Sequence, residues 1–276
     1  MSLFITSIAS GSNGNCYYIG TNSEAVLVDA GISCREIENR MARLALSLKN
    51  VKAVFVSHEH SDHIQGLAVL AKKWKLPVYI TTNTLRVGRV PLHDHPVFSF
   101  RCSEPVTVGS FTVIPFSKAH DAADAHSFVI TSNGVKVGVF TDIGAPCANL
   151  VRHFSECDAA FLEANYDEQM LAQGHYPVHL KNRIRGGLGH LSNRQALELF
   201  KTHKPPFMSH LVLAHLSKNN NCPTLVQRLF EAHAAGTTVV VAPRHQETPL
   251  YHIESSFSET ISPHYSVAAS QLELSF

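Results

Sequence analysis

Short apolar runs separated by polar segments predict strands along the first third of the chain. SLFITSIA, CYYIG and AVLVDAG are typical of strands. Apolar side chains then recur at helical spacing from Cys34 to Leu48, which predicts a helix. The strand VKAVFVS, a helix over IQGLAVLAKKW and the strand LPVYIT follow. This stretch is predicted to mix sheet and helix.

The pattern becomes richer in strands after about residue 106. PVTVG, SFTVIPFS, HSFVITS and VKVGVFTD are predicted strands, and Asn133-Gly134 is a strong hairpin-turn signal. From residue 158 the strands AAFLEAN, HLVLAH and TTVVVA alternate with helices, one of them running from an N-cap at Ser192 to about His203. We predict an α/β fold in one domain over residues 1–276, and the tail after about residue 250 carries no clear pattern.

One short loop concentrates potential metal ligands. Directly after the apolar run VKAVFV the chain reads SHEHSDH, which places His58, His60, Asp62 and His63 within six positions. Alternate residues of an extended segment point the same way, so the first two histidines can bind one ion. The other two residues follow where the chain enters the helix and can face a second ion. The alternative is a solvated polar loop, and the motif needs support from elsewhere in the chain.

That support is expected from other strand ends, because two ions need more ligands than this loop supplies. His120 follows SFTVIPFSKA, Asp142 follows VGVF, and His215 ends HLVLA. A carboxylate at position 142 could bridge the two ions. Each residue alone would more often be a capping or surface residue, but each one ends a separate apolar strand. Structural zinc sites favour cysteine, whereas none of these ligands is Cys, which favours catalysis over a metal held only for stability.

His190 lies in GLGHLSN just before the helix predicted from Ser192. Its spacing fits two roles, a proton donor to a leaving group or a residue that merely leads into the helix. The sequence pattern alone leaves both open.

Composition excludes several classes of protein. The net charge is +1 and 45% of the residues are hydrophobic, so the chain has a core but no overall field that would gather nucleic acid or membrane. The six cysteines form no C-x-x-C pair, which favours a reducing, cytoplasmic setting. The start, MSLFITSIASGSNGN, resembles neither a signal peptide nor a membrane span.

The motif His58-Glu59-His60-Ser61-Asp62-His63 resembles the H-x-H-x-D-H signature of the metallo-β-lactamase superfamily. The resemblance implies a four-layer αββα sandwich with a dinuclear site at one edge of the sheets. SGSNGNCYYI, AHDAADAHSFVI, EANYD, YPVHLKNRIRGGLGHLSN and AHLSKNNN are similar to the single-domain YycJ (WalJ) group, which is associated with 5′-to-3′ DNA exonuclease activity. Phosphodiesterases and tRNA-processing enzymes of the superfamily share the pairing of GHLSNRQAL with LVLAHLSKNN.

The resemblance also implies roles for single residues. His58, His60 and His120 would hold one divalent ion, and Asp62, His63 and His215 the other. Zinc or manganese is expected, and iron also fits such a site. Asp142 would lie between the ions, which share a water that becomes hydroxide near neutral pH. Asp29 would orient a ligand, and His190 would protonate the leaving oxygen.

The expected activity is therefore metal-dependent hydrolysis of phosphodiesters in nucleic acid, DNA more than RNA, with no membrane partner. An alternative is a small-molecule hydrolase of the same fold, acting on a thioester, a lactone or a cyclic phosphodiester. Basic side chains near His190 and His215 could grip phosphates or could simply form a solvated helix face. These residues are Lys181, Arg183, Arg185, Arg194 and Lys218. The sequence does not determine the oligomeric state.

Overall fold

The protein was analysed as a computed structural model that describes residues 2–255 of the chain. The strands in this range are β1 Ser2–Ala9, β2 Cys16–Gly20, β3 Ala25–Val28, β4 Val51–Phe55, β5 Val78–Tyr79, β6 Val97–Phe98, β7 Val106–Val108, β8 Phe111–Ser117, β9 His126–Ser132, β10 Val135–Phe140, β11 Ala159–Glu163, β12 His210–Ala214, β13 Thr238–Val241 and β14 Tyr251–Glu254. The helices are α1 Cys34–Arg43, α2 Ser61–Ile64, α3 Leu67–Trp74, α4 Thr82–Gly88, α5 Ala148–Phe154, α6 Glu168–Gln173, α7 Val178–Arg185, α8 Asn193–His203 and α9 Pro223–Glu231, with a 3₁₀ turn at Leu48–Asn50. No helix within residues 2–255 has the length and apolar character needed to cross a bilayer.

The strands form two mixed sheets that pack face to face. The first sheet has the order β14-β1-β2-β3-β4-β5-β6 and the second has the order β13-β12-β11-β10-β9-β8-β7. Aromatic rings interlock between them: the centroids of Tyr17 and Phe161 are 4.9 Å apart, and those of Phe55 and Phe128 are 5.7 Å apart. This layer is the apolar core shared by the two sheets.

Helices cover the outer face of each sheet. Buried side chains of α1 and α3 pack on the outer face of the first sheet, and those of α5, α8 and α9 pack on the second. The resulting order of layers is helix, sheet, sheet, helix. The predicted four-layer αββα sandwich is therefore confirmed.

Most predicted elements occur where the sequence pattern placed them, including the turn at Asn133-Gly134. Both turn residues have positive φ, 53° and 75°, as a two-residue hairpin of this type requires. Helix α8 begins after Ser192, whose side chain forms a capping box with Gln195. Within the tail after about residue 250, Tyr251–Glu254 form β14, and the part from residue 256 lies outside the described residues.

Two helices are shorter than the apolar spacing predicted. α1 ends at Arg43, because Ala45 has a positive φ of 56° and the Leu46 amide turns back to the carbonyl of Met41, 2.9 Å away. The apolar spacing continues past this point because the turn still packs on the first sheet. The helix predicted over IQGLAVLAKKW is broken at Gly66, where a Cβ would lie only 1.9 Å from the carbonyl oxygen of Ile32.

The parallel strands direct their carboxyl ends to one edge of the sandwich. β3 and β4 run parallel in the first sheet, and β10, β11 and β12 run parallel in the second. The residues that follow these strands therefore meet at a common edge. Asp29, Asp142 and His215 each follow such a strand and have φ values of 63°, 55° and 56°. A left-handed backbone at three buried non-glycine residues is costly and is concentrated at functional sites.

Candidate metal centre

The SHEHSDH loop follows β4 and is held in place by Asp29. The Asp29 carboxylate accepts hydrogen bonds from the backbone amide and the hydroxyl of Ser57, both at 2.8 Å. It also accepts the Nδ1 proton of His63 at 2.7 Å. Because Nδ1 is engaged in this way, Nε2 of His63 is left to face the site. The structure places Asp29 as a residue that orients a candidate ligand.

Three imidazoles converge at one end of the site. His60 Nδ1 lies 3.1 Å from His58 Nε2 and 3.3 Å from His120 Nε2. A tetrahedral zinc ion with Zn–N bonds of about 2.0–2.1 Å holds its ligand atoms about 3.3–3.4 Å apart. His120 donates its Nδ1 proton to the carbonyl of Gly189, 3.1 Å away, which leaves Nε2 unprotonated. The spacing of these nitrogens fits one metal ion.

A second group lies next to the first. Oδ2 of Asp62 is 3.6 Å from His63 Nε2 and 3.4 Å from His215 Nε2. Asn15 supports this carboxylate by donating from Nδ2 to Oδ2 at 3.2 Å. One carboxylate and two imidazoles are again a donor set suited to a divalent metal ion.

Asp142 lies between the two groups. Its Oδ2 is 3.2 Å from His63 Nε2, and its Oδ1 is 3.4 Å from His215 Nε2 and 3.9 Å from His120 Nε2. Oδ2 is buried, yet it makes no hydrogen bond of good geometry within residues 2–255. A buried carboxylate oxygen that faces ring nitrogens fits a position beside a cation. The seven candidate ligands predicted from the sequence are thus brought together.

The electrostatics differ between the two ends of the site. Burial lowers the pKa of His58 well below its usual value and that of His120 to about 4, so both rings are neutral, as metal ligands must be. Burial acts in the same direction on His63, but Asp142, Asp29 and Asp62 raise its pKa well above the usual value. The negative charge of these carboxylates therefore favours a cation at this end of the site, and a divalent metal ion would provide it.

His190 stands beside this centre and is paired with Glu163, a residue to which the sequence analysis gave no role. His190 donates its Nδ1 proton to Oε1 of Glu163 at 2.8 Å, and its Nδ1 is 3.8 Å from Asp142 Oδ1. The same Oε1 is 3.0 Å from Nδ1 of His215. Burial raises the pKa of Glu163, but His190 and His215 outweigh burial and lower it to about 2. An ionised carboxylate thus joins the candidate acid to a candidate ligand.

Other supporting residues also escaped the sequence analysis. The Asn15 amide bonds to the carbonyl of Asp62 at 2.7 Å, and a Cβ at Gly31 would lie 1.7 Å from that oxygen, so only glycine fits there. Lys118 is buried and donates to the carbonyl of Thr141 at 2.6 Å. The SGSNGN and DAG segments carried a turn signal that could have indicated a close approach. Lys118, an isolated lysine after a strand, had no such sequence signal.

The five basic residues separate into different surroundings. Arg183 forms an ion pair with Asp121, and Lys218 is exposed on the loop after His215. The other three, Lys181, Arg185 and Arg194, line one cavity beside α6. They do not form a single basic patch.

The comparisons with known proteins agree with this geometry. A family model described as a β-lactamase superfamily domain matches residues 24–216, which includes all seven candidate ligands. The chain belongs to the metallo-β-lactamase superfamily. Relatives in this superfamily include exodeoxyribonuclease YycJ of Bacillus anthracis, which is 35% identical over 232 residues, 82% of this chain and 87% of that protein. Exodeoxyribonuclease WalJ of Streptococcus pneumoniae is 31% identical over 237 residues, 82% of this chain and 87% of the relative.

Solved structures of the superfamily share the fold. The metallo-β-lactamase fold protein YhfI of Bacillus subtilis superposes with a TM-score of 0.69 at 19% identity, covering 89% of this chain and 99% of that one. Together with the relatives and the donor groups, this metallo-β-lactamase fold makes the protein a metal-dependent hydrolase that binds divalent metal. The resemblance to the YycJ and WalJ group is confirmed.

Two replacements of Glu163 should separate its effect on turnover from its effect on the stability of the fold. In Glu163→Gln the charge beside His190 is lost, and we expect kcat to fall about 10- to 100-fold, as for other residues that orient a site. Glu163→Ala should also destabilise the fold, because the buried amides of Ile143 and Leu191 lose their acceptor at a cost of about 1–3 kcal/mol each. Steady-state kinetics and thermal melting measure the two effects. Glu198→Gln, on the exposed face of α8, is the matched control, and an equal loss of kcat there would contradict the assignment.

Proposed function

We propose that this chain is a dinuclear metal-dependent phosphodiesterase that acts as a 5′-to-3′ exonuclease on DNA. The observation that carries the proposal is the His190–Glu163 pair beside Asp142, because an alkoxide leaving group needs an acid where a thiolate or phenolate does not. The names of the YycJ and WalJ relatives support DNA over RNA as the substrate. The two sheets share one core, which supports a single domain for residues 2–255 of the range 1–276 predicted from the sequence.

Two ions are proposed, one held by His58, His60 and His120 and the other by Asp62, His63 and His215, with Asp142 reaching both. Zinc or manganese fits these imidazole and carboxylate donors, and iron also fits. When bound, such ions lower the pKa of a water molecule and neutralise charge on phosphoryl oxygens.

The side chains have separate roles in this scheme. Asp29 fixes the ring of His63, and Glu163 fixes the ring of His190 through Nδ1. Nε2 of His190 is then the atom that can deliver a proton to the departing oxygen. The ionised Glu163 stabilises the positive charge on the ring while it carries that proton.

The six cysteines are all unpaired in the structure, which supports the proposal of a reducing, cytoplasmic setting.

The test compares substrates with and without metal. Metal-free protein re-supplied with Mn²⁺ or Zn²⁺ should degrade end-labelled DNA from the 5′ end and leave an acyl thioester intact. Chelation should remove the activity while the circular dichroism spectrum stays nearly unchanged, since the two sheets share a full apolar core without help from an ion. Cleavage of the thioester alone would overturn the proposal, and unfolding on chelation would indicate a structural metal instead.

A further inference from the structure

A cavity of about 320 Å³ lies between α6, α7 and α8. Lys181 and Arg185 of α7 line it, together with Arg194 at the start of α8 and Glu168 at the start of α6. None of these residues belongs to the candidate metal groups found within residues 2–255. The volume is at the lower end of the range for sites that enclose small ligands, about 300–1,000 Å³.

The cavity carries an excess of positive charge. Glu168 neutralises Arg194 at 3.1 Å. Lys181 donates to the carbonyl of Ala172 at 2.7 Å, and Arg185 donates to the amide oxygen of Asn182. Both of these acceptors are neutral, and neither cation forms an ion pair within the described part of the chain. Two uncompensated cations that line the same cavity are suited to a phosphate group.

Helix α7, which forms one wall of the cavity, is bonded to the loop that carries the candidate acid. The amide of His190 donates to the carbonyl of Ile184, in the last turn of α7, at 2.9 Å. A Cβ at Gly189 would lie 2.1 Å from that same oxygen, so the loop packs tightly against the helix. On the other wall, the amide of Asn193 donates to the carbonyl of Tyr166 at 2.8 Å. These two backbone contacts hold the walls of the cavity at a fixed position relative to the loop that carries His190.

We propose that this cavity binds the 5′-terminal nucleotide of the DNA strand, with Lys181 and Arg185 on its 5′-phosphate. The inference rests on the proposed function. In that reaction water adds to phosphorus and loses a proton to solvent, and the P–O3′ bond breaks with its electron pair on O3′. O3′ takes the proton of His190, and the ring regains a proton from solvent. The released nucleotide keeps its 5′-phosphate and gains a 3′-hydroxyl.

Each cleavage in this scheme regenerates the 5′-phosphate that the cavity binds. The oxygen that comes from water stays on phosphorus, so the shortened strand begins with a new 5′-phosphate. That end is again a ligand for the cavity. A phosphate held in this cavity would also place the end of the strand, and so favour removal of nucleotides from that end.

The test measures binding without turnover. Isothermal titration calorimetry of the full-length, chelator-treated protein compares dTMP with thymidine, which differ only in the phosphate. We expect dTMP to bind at least about tenfold more tightly. The double variant Lys181→Gln/Arg185→Gln should reduce that preference to less than about twofold. The double variant Lys72→Gln/Arg228→Gln changes an exposed Lys and an exposed Arg outside the cavity. It should retain the wild-type preference for dTMP over thymidine.

A second arm uses the metal-loaded protein and oligonucleotides with a 5′-phosphate or a 5′-hydroxyl. Wild type should degrade the phosphorylated strand faster, and Lys181→Gln/Arg185→Gln should degrade both at similar rates. Equal binding of dTMP and thymidine by wild type, or a preference that survives in this variant, would overturn the inference. Absence of DNA cleavage by wild type with the dTMP preference intact would overturn the proposed nuclease function and still support an anion subsite.

Discussion

Asp142→Asn should lower kcat for metal-dependent phosphodiester hydrolysis by about 1,000-fold, the upper end of the loss expected when one preorganised electrostatic group is removed. The carboxylate lies within 4 Å of His63, His120 and His215, so it reaches both candidate metal groups. An amide keeps the size but loses the charge and one of the two acceptor oxygens. Metal content by mass spectrometry and kcat on end-labelled DNA measure the two consequences.

The fold should survive this change. Asp142 has a φ of 55°, and asparagine tolerates the left-handed region as well as aspartate does. Asp94→Asn makes the same chemical change at an exposed residue with a φ of 61° and should leave kcat within about twofold, as surface changes have small effects. Wild-type turnover by Asp142→Asn with two ions bound per chain would exclude a bridging role for the carboxylate.

The grouping of the candidate ligands could be predicted because strand ends can be recognised in the sequence. Each of the apolar runs before His58, Asp142 and His215 is a buried strand, and parallel strands bring their carboxyl ends to one edge. The SHEHSDH motif predicted four of the candidate ligands. The rule that strand ends meet at one edge then predicted the others, which lie far along the chain. The four-layer fold followed from the same alternation of apolar runs together with the family resemblance.

The supporting residues could not be predicted because their roles depend on long-range contacts. Glu163 looks like the ordinary end of a strand until His190, 27 residues later, and His215, 52 residues later, reach its carboxylate. The same holds for the break at Gly66, which exists because the loop at Ile32 packs there. Ion pairs between residues far apart in the chain cannot be predicted from the sequence for the same reason. Arg183, unlike Arg185, forms an ion pair, and its partner Asp121 lies 62 residues earlier in the chain.

His190→Ala should distinguish acid catalysis from metal binding. We expect kcat on DNA to fall by about 100- to 1,000-fold, since a positioned general acid contributes about 10²–10⁴-fold and an O3′ alkoxide needs its proton. Hydrolysis of bis(p-nitrophenyl) phosphate should fall by less than about tenfold, because p-nitrophenolate leaves readily without protonation. The measurement is the ratio of the loss of kcat on DNA to the loss of kcat on bis(p-nitrophenyl) phosphate. The control is His93→Ala, at an exposed residue of the loop after α4.

The competing role for His190 is that of a ligand, since its ring lies in one donor group with Asp142, Glu163 and His215. A ligand would be needed equally for both substrates, so both rates would fall together and the variant would bind less metal. An acid would change only the reaction with the poor leaving group, at unchanged metal content. The Nδ1 contact with Glu163 is compatible with both roles, because a carboxylate that holds one ring nitrogen leaves the other free for a metal ion or for substrate. Equal losses on DNA and bis(p-nitrophenyl) phosphate with one ion missing would reassign His190 to the metal centre.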